Sequence, residues 1–184
     1  MQEKKLTMKD FFKKIRTIPA ISKFMLNHYS PYRGAGIAIE TFDLDRYFIR
    51  VKMPLTRKNR NIVGTHFGGS LYSMVDPFYM LILMHHLGHK YIVWDKSASI
   101  NFLSPGRSTV YADIQLSATE ITEIKQLAEN HEPVFRNYTL NIVDDAGTRI
   151  AEVEKVLYIR RKKPKASASG EPKYKMPANN SRHF

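Results

Sequence analysis

One short segment, residues 61–76, brings together an Asn, two adjacent glycines and a single carboxylate among apolar neighbours. Gly68 and Gly69 stand where a helix is predicted to begin, and helix N-termini leave backbone N–H groups available to hold developing negative charge. Asp76 follows two turns later, where a carboxylate is costly unless it has a partner or a task. Donors for an oxyanion together with a poised carboxylate indicate an acyl-transfer site.

Each of these residues also has an ordinary structural explanation. Asp76 followed by Pro77 is a common start of a helix, and Pro77 would interrupt a longer helix at the same place. The two glycines would equally permit close packing of the helix against a sheet. Asn61 could cap its own loop, and His66 could be either an acid–base group or a hydrogen-bonded turn residue.

The hydrophobic pattern predicts the elements that would position this segment. Strands are predicted at about 36–43, 47–55, 91–102, 110–118, 134–143 and 149–159, with a short surface helix at 119–130. The helix from Gly68 to Leu87 is apolar all round and must therefore be enclosed. We expect an α+β fold in which an antiparallel sheet of about six strands surrounds one long central helix. Since one curved sheet covers only part of that helix, the packing predicts a homodimer.

Basic residues are concentrated at the two ends of the chain. The net charge of +12 divides into +5 over residues 1–28 and +7 over residues 160–184, whereas residues 29–159 are neutral. No nucleic-acid motif accompanies these ends, so we expect no specific nucleic-acid partner. The chain has no cysteine, which excludes disulfides and thiolate chemistry. The first residues contain no apolar signal segment, and we expect a cytoplasmic protein.

The same features predict three regions. Residues 1–28 form a basic amphipathic arm of two short helices, at about 7–18 and 20–28, which could lie on a membrane surface or pack over the sheet. Residues 29–160 form the main domain. Residues 161–184 lack hydrophobic periodicity and are predicted to be a disordered basic tail.

Three motifs in order resemble those of a known superfamily. They are Gly64–Pro77 (GTHFGGSLYSMVDP), Tyr91–Lys96 (YIVWDK) and Ser104–Arg107 (SPGR). Together with the helix-in-sheet order they resemble the phenylacetyl-CoA-type thioesterase branch of the hotdog superfamily, and within it an uncharacterised domain family. The resemblance covers about residues 29–160. It implies a homodimer or a dimer of dimers, with active sites at the subunit interface and neither a metal nor a bound cofactor.

The resemblance also implies roles for individual residues. Asp76 would be the general base or nucleophile that attacks the thioester, and a backbone N–H of Gly68 or Gly69 would polarise its carbonyl. Asn61 would place the substrate or the water. The branch has His immediately before the two glycines, whereas this chain has Phe67 there, one place after a candidate acid–base residue, His66.

Further residues are predicted around the substrate. Asp95 falls near the position of a water-handling Ser or Thr. Lys96 shares the file of Trp94 and would be buried against a carboxylate such as Asp76, or else lie exposed at a sheet edge. An acyl chain would lie beside the apolar side chains Phe67, Leu71, Tyr72, Met74, Phe78 and Tyr79. Loop cations could bind the phosphates of coenzyme A or an acyl carrier protein, or serve only solubility: Arg57, Lys58, Arg60 and Arg107.

The sequence therefore predicts hydrolysis of an acyl thioester, an acyl-CoA with a fatty or aromatic acyl group, in which coenzyme A is only part of the substrate. The alternative is a non-catalytic acyl-CoA or lipid-binding module that keeps the fold without the full site, which the change at Phe67 favours. Enoyl-thioester hydration would need a paired Asp and His, for which Asp76 and His66 are a poor match. No metal site is predicted.

Overall fold

The computed structural model describes residues 19–164. Its strands form one sheet, and two of its helices lie at the centre of that sheet. The strands are β1 (Ala38–Asp43), β2 (Phe48–Met53), β3 (Tyr91–Phe102), β4 (Val110–Gln115), β5 (Val134–Asp144) and β6 (Arg149–Arg161). The helices are α1 (Pro19–Asn27), α2 (Ser30–Ala35), α3 (Gly68–Ser73), α4 (Phe78–Leu87) and α5 (Ala118–Leu127). None of these helices is long and apolar enough to cross a membrane.

All six strands pair antiparallel, in the order β1-β2-β4-β5-β6-β3. This confirms the predicted α+β architecture and the number of strands. The predicted helix at 20–28 corresponds to α1, whose Asn27 side chain exchanges hydrogen bonds with the backbone of Ile39 at the edge strand β1. The predicted helix at 7–18 and nearly all of the predicted tail lie outside the described residues, and the division into three regions stays a prediction.

The central helix is interrupted rather than continuous. Pro77 has no N–H to donate, so α3 ends at Ser73 and a new helix, α4, begins at Phe78. Phe78 and Ile82 of α4 are fully buried, because the sheet curves around this helix. The break leaves Asp76 between the two helices, so that it belongs to neither of them.

Strand β3 is an edge strand whose alternation changes at a bulge. The register with β6 shifts between Asp95 and Ser97, which leaves Lys96 without a partner across the ladder. Trp94 is 51% exposed and stacks on Tyr158, with ring centroids 4.8 Å apart. The predicted burial of Lys96 beside Trp94 is wrong, since both side chains lie on the outer face of the sheet and Asp95 faces inward.

Candidate active site

The first part of the candidate site is a cleft at the start of α3. Its volume is about 450 Å³, and it opens between the loop that precedes α3 and the turn that follows β3. Five of the residues predicted from the sequence line it: Asn61, His66, Gly68, Leu71 and Arg107. Exposed apolar side chains at its rim include Val63 and Phe102.

Asn61 shapes the loop that forms one wall of this cleft. Its Oδ1 accepts hydrogen bonds from the backbone N–H groups of Val63 (3.1 Å) and Thr65 (3.0 Å). Its Nδ2 donates to Thr65 Oγ1 (2.8 Å) and to the carbonyl of His66 (3.3 Å). The amide therefore fixes the loop by its own hydrogen bonds, and a role in placing the substrate stays a prediction.

His66 is a buried neutral histidine. Its Nε2 lies 2.9 Å from the carbonyl oxygen of Ser108, and since a carbonyl only accepts, Nε2 carries the proton. Its Nδ1 has no hydrogen-bond partner within the described residues. Burial lowers the pKa of His66, and the hydrogen bond to Ser108 opposes that effect only in part. At neutral pH the ring is therefore uncharged.

The two glycines open α3 with unoccupied N–H groups. Phe67 is the N-cap, and its carbonyl accepts from the N–H groups of Ser70 (2.9 Å) and Leu71 (3.1 Å). In residues 19–164 the N–H groups of Gly68 and Gly69 have no acceptor. A Cβ on Gly68 would stand 2.7 Å from the Phe102 ring, and one on Gly69 would stand 2.5 Å from the Phe67 ring. These aromatic rings leave room for glycine alone unless they move.

The second part of the candidate site is a group of charged side chains at the helix break. Asp76 Oδ1 accepts a hydrogen bond from the Tyr72 hydroxyl (2.8 Å) and lies 3.3 Å from Lys155 Nζ. Lys155 Nζ also lies 3.2 Å from Asp95 Oδ1 and donates to the backbone carbonyl of Asp76. The Lys155 side chain is fully buried, whereas Asp76 is 48% exposed. Two carboxylates thus share one buried ammonium.

The electrostatics of this group depend on burial and on the shared lysine. Burial raises the pKa of Asp95, Lys155 lowers it, and the nearby charge of Asp76 raises it again. Burial and the hydrogen bond to Asp76 both raise the pKa of the Tyr72 hydroxyl, so that it stays protonated and can donate. The Asp76 carboxylate is consequently held in place through Oδ1, and its Oδ2 accepts no hydrogen bond from the described residues.

Lys155 is the member of this charged group that the sequence analysis did not identify. The inward file of β6 reads Ala151, Val153, Lys155, Leu157 and Ile159, so a lysine interrupts an otherwise apolar series. That interruption was the signal. The expected ion pair with Asp76 exists, but Lys155 makes it and not Lys96, whose ammonium lies outside, 4.3 Å from the Phe135 ring.

The residues predicted to contact an acyl chain are not all in one place. Leu71 lines the cleft and Tyr72 contacts Asp76, but Met74 and Phe78 are fully buried in the core. Tyr79 is buried against the ring of Tyr138, with centroids 4.5 Å apart. In the described chain these side chains therefore do not line one continuous slot beside the helix.

The predicted loop cations are exposed. Arg57 and Lys58 lie in a turn that Asn59, a buried residue, ties to the Pro54 and Ala35 carbonyls (2.8 and 2.9 Å). Arg60 pairs with the backbone of His66 in an isolated bridge, and Arg107 is at the cleft wall. Within residues 19–164 no three His, Asp or Glu side chains are grouped as a metal site would require.

The two parts of the candidate site are separated along the chain. Gly68 and Asp76 are eight positions apart, which corresponds to about 12 Å along a regular helix. Asp76 is not among the residues that line the cleft. One chain therefore presents possible oxyanion donors at the start of α3 and a fixed carboxylate at the helix break that follows α3.

Solved structures share this fold at low sequence identity. Protein PA5026 from Pseudomonas aeruginosa, of unknown function and called a probable thioesterase, is 18% identical with a TM-score of 0.71, over 79% of this chain and 97% of that chain. Thioesterase HI1161 from Haemophilus influenzae is 17% identical with a TM-score of 0.55, over 86% and 93%. The PaaI protein from the phenylacetic acid degradation operon of E. coli is 19% identical with a TM-score of 0.53, over 79% and 91%. No curated protein matches the sequence.

These similarities confirm the resemblance to the hotdog superfamily as a similarity of fold, including to a phenylacetyl-CoA-type member. The sequence model of one family, described as a domain of unknown function (DUF4442), matches residues 18–159. That range contains both parts of the candidate site and confirms the predicted relation to an uncharacterised family. The chain belongs to the DUF4442 family.

Proposed function

We propose that this protein hydrolyses acyl thioesters and that its substrate is an acyl-CoA with a fatty or aromatic acyl group. The observation that carries the proposal is the Asp76 carboxylate, which is half exposed and fixed through one oxygen by Tyr72 and Lys155. A carboxylate held in one orientation needs little reorganisation to act on a substrate. Thioesterases among the proteins of the same fold make thioesters the first substrates to test.

In the proposed reaction, Asp76 acts through Oδ2. As a general base it takes a proton from the water that adds to the thioester carbon; as a nucleophile it forms an acyl-carboxylate anhydride that water then hydrolyses. The C–S bond breaks in both cases. In the general-base route the proton on Asp76 passes to the leaving thiolate, and in the nucleophilic route the thiolate takes a proton from solvent and water then restores the carboxylate. The N–H groups of Gly68 and Gly69 would donate to the carbonyl oxygen as it gains negative charge.

A homodimer would complete this site. The base and the oxyanion donors must each come within about 3 Å of the reacting groups, whereas Gly68 and Asp76 of one chain are eight positions apart, about 12 Å along a regular helix. A second copy would bring its cleft to the first copy's Asp76. Two features support this arrangement: β3 is an edge strand of twelve residues, and Ile62, Val63 and Phe67 are exposed apolar side chains beside the cleft. A dimer of dimers would extend the same contacts.

The loop cations would bind the coenzyme A part of the substrate. Arg107 lines the cleft, and Arg57, Lys58 and Arg60 are exposed on the loop that leads to it. Guanidinium groups bind phosphate through paired hydrogen bonds. The same cations would suit the acidic face of an acyl carrier protein, and assays with acyl-CoA and acyl carrier substrates in parallel separate the two.

The direct test is Asp76→Asn, assayed against a panel of acyl-CoA thioesters. Removing a general base or nucleophile should lower turnover by about 10²–10⁴-fold. The melting temperature should change little, because Asp95 still pairs with Lys155 and the amide oxygen can still accept from Tyr72. Asp113→Asn is the matched control, since Asp113 is also half exposed and pairs with Arg50 on the outer part of the sheet. Wild-type turnover in the Asp76→Asn protein would contradict the assignment.

A second candidate is a binding module without catalysis. The observation in its favour is Phe67, 57% exposed, whose ring lies against Gly69 where the related branch has His. An aromatic ring at this position would cover an acyl group without supplying an acid or base. Saturable binding of a non-hydrolysable acyl-CoA thioether, with no turnover of any thioester in the panel, would favour this candidate over hydrolysis.

A further inference from the structure

Lys155 occupies a position where the fold itself calls for an apolar side chain. Its neighbours on the inward file of β6 are Val153 and Leu157, and the side chain has no exposed surface. An ammonium in such a place loses its hydration and must regain it through partners. A methionine would fill a similar volume without that cost, so packing alone does not account for the charge.

Three elements converge on this ammonium. β6 supplies Lys155, β3 supplies Asp95, which the bulge at Lys96 turns inward, and the break at Pro77 supplies Asp76. Lys155 contacts Asp76 twice, at the carboxylate and at the backbone carbonyl that the helix break leaves without its regular partner. Both the backbone and the side chain of Asp76 are therefore tied to the sheet.

We propose that Lys155 is the positioning residue of Asp76 and that Asp95 is its counter-charge, so that the shared ammonium holds the Asp76 carboxylate by Oδ1 and leaves Oδ2 for the substrate. This inference rests on the proposed function in assigning Asp76 the chemistry, but the arrangement itself can be tested without turnover. Its structural rival is a simple cross-tie, in which Lys155 fastens the helix break to the sheet through the Asp76 carbonyl and does not fix the direction of the carboxylate.

The groups that face Asp76 make the effect of Lys155 specific. Tyr72 of α3 donates a hydrogen bond to it, Asp95 of β3 repels it, and Tyr32 of α2, a buried phenol, has its pKa raised by burial and further by the charge of Asp76. Among the described residues, Lys155 is the cation that pairs with Asp76. Its removal would leave two carboxylates facing each other without a positive charge between them.

The test determines the side-chain χ1 rotamer of Asp76 from three-bond NMR couplings in the full chain at a fixed pH. The wild type should show one dominant rotamer, in which Oδ1 lies against Lys155. Lys155→Met should show averaging over several rotamers, because the carboxylates of Asp76 and Asp95 then face each other with no cation between them. Lys96→Met is the matched control and should leave the couplings unchanged.

Every outcome decides the question. Couplings in Lys155→Met that equal those of the wild type would overturn the proposal in favour of the cross-tie. If Lys155→Met does not fold, Lys155→Gln takes its place, because its amide can still donate to the Asp76 carbonyl but carries no charge. The Asp76 rotamers should again be averaged, and wild-type couplings would overturn the proposal.

A kinetic arm separates this proposal from the proposed function. For a wild-type enzyme that hydrolyses acyl-CoA, Lys155→Met should lower kcat and leave KM nearly unchanged, because a misdirected base slows the chemical step without weakening substrate binding. A cross-tie would leave the kcat of the folded protein unchanged. If the wild type hydrolyses no thioester, the proposed function fails, whereas the NMR couplings still decide the role of Lys155.

Discussion

The start of α3, at Gly68, and the helix break that follows α3, at Asp76, differ in physical character. At the Gly68 end there is an open cleft whose polar groups include backbone N–H groups, a fixed amide and a neutral histidine, with Arg107 at its wall. At the Asp76 end there are two carboxylates around one buried ammonium. The first end offers shape and hydrogen-bond donors, and the second offers charge under structural control.

This difference indicates how the two ends would be used. An oxyanion can be stabilised by preorganised backbone N–H donors, whereas a general base needs an ionised group with a fixed direction. Because the donors and the carboxylate lie on opposite sides of α3, the surroundings of each can differ. A second copy of the chain would then join the Gly68 end of one subunit to the Asp76 end of the other.

The largest expected effect comes from mixing two inactive proteins. Asp76→Asn disables one end and Gly69→Val, which would place a side chain against the Phe67 ring, disables the other. If sites are shared between subunits, unfolding and refolding the two together should restore about one quarter of wild-type turnover, because about half of the dimers are mixed and each holds one intact site.

The control for this mixture is each variant refolded alone, which should remain inactive. A mixture that stays as inactive as its components, with mixed dimers demonstrated by mass spectrometry, would show that each chain builds its site alone. The comparison between the two ends would then describe two independent features and not the halves of one site.

A large effect on stability is expected at the charged end. Lys155→Ala should lower the free energy of unfolding by about 3 kcal/mol, since it removes one partner of a buried ion pair and leaves a cavity. Lys96→Ala is the matched control on the neighbouring strand. Lys96 is exposed and contacts only the Phe135 ring in the described chain, so its loss should cost less than about 1 kcal/mol. Urea denaturation measures both, and equal losses would contradict the burial described for Lys155.

A smaller effect is expected at the wall of the cleft. A Cβ on Gly106 would stand 2.9 Å from His66 Cδ2 and 3.1 Å from Ile150 Cγ2, both of them buried. Because His66 is tied to the Ser108 carbonyl, it has little freedom to move away. Gly106→Ala should therefore cost about 1–3 kcal/mol of unfolding free energy.

Gly34→Ala is the matched control for this substitution. Gly34 lies in α2, and a Cβ there would meet no heavy atom within 4 Å. Its substitution should be neutral or stabilise the protein by up to about 1 kcal/mol. If both alanine variants unfold at the same urea concentration, His66 is less firmly held than the structure indicates.

The sequence allowed the fold and the position of the helix break to be predicted. Tight hairpins require antiparallel strands. Pro77 marks the break because proline has no N–H to donate to a helical hydrogen bond. The identity of the buried lysine could not be predicted from strand β3. That strand has apolar residues on both faces, and its alternation changes at Lys96. Only pairing with β6 decides which face is inward, and a local pattern does not contain that information.

The acyl slot was mispredicted for a related reason. A helix that is apolar all round must be enclosed, but its sequence does not say whether protein or ligand encloses each face. In the structure Phe78 is fully buried, with the Tyr32 ring of α2 beside it, whereas Leu71, one helix earlier, lines the cleft. The three-dimensional course of the sheet decides between the two, and it depends on residues far away in sequence.

The smallest expected effect concerns the pH dependence of stability, to which His66 at one end and Asp95 at the other should contribute with opposite signs. Burial lowers the pKa of His66 below its ordinary value of 6.5. As the pH falls through 6.5 the unfolded chain binds a proton that the folded chain does not, so the stability contributed by this residue is present above 6.5 and is lost on acidification. Burial raises the pKa of Asp95. Its contribution is therefore largest at low pH and is lost as the pH rises through the folded-state value.

Two variants test these two pH dependences separately. His66→Gln keeps a donor for the Ser108 carbonyl but does not titrate, so its unfolding free energy should fall less than that of the wild type as the pH drops below 6.5. The difference is at most about 1.4 kcal/mol per pH unit, the value for one proton. Asp95→Asn should gain relative to the wild type as the pH rises above the ordinary value of 3.8. Profiles that stay parallel to the wild type in both variants would mean that the two ends share one electrostatic environment, and the contrast between them would have to be abandoned.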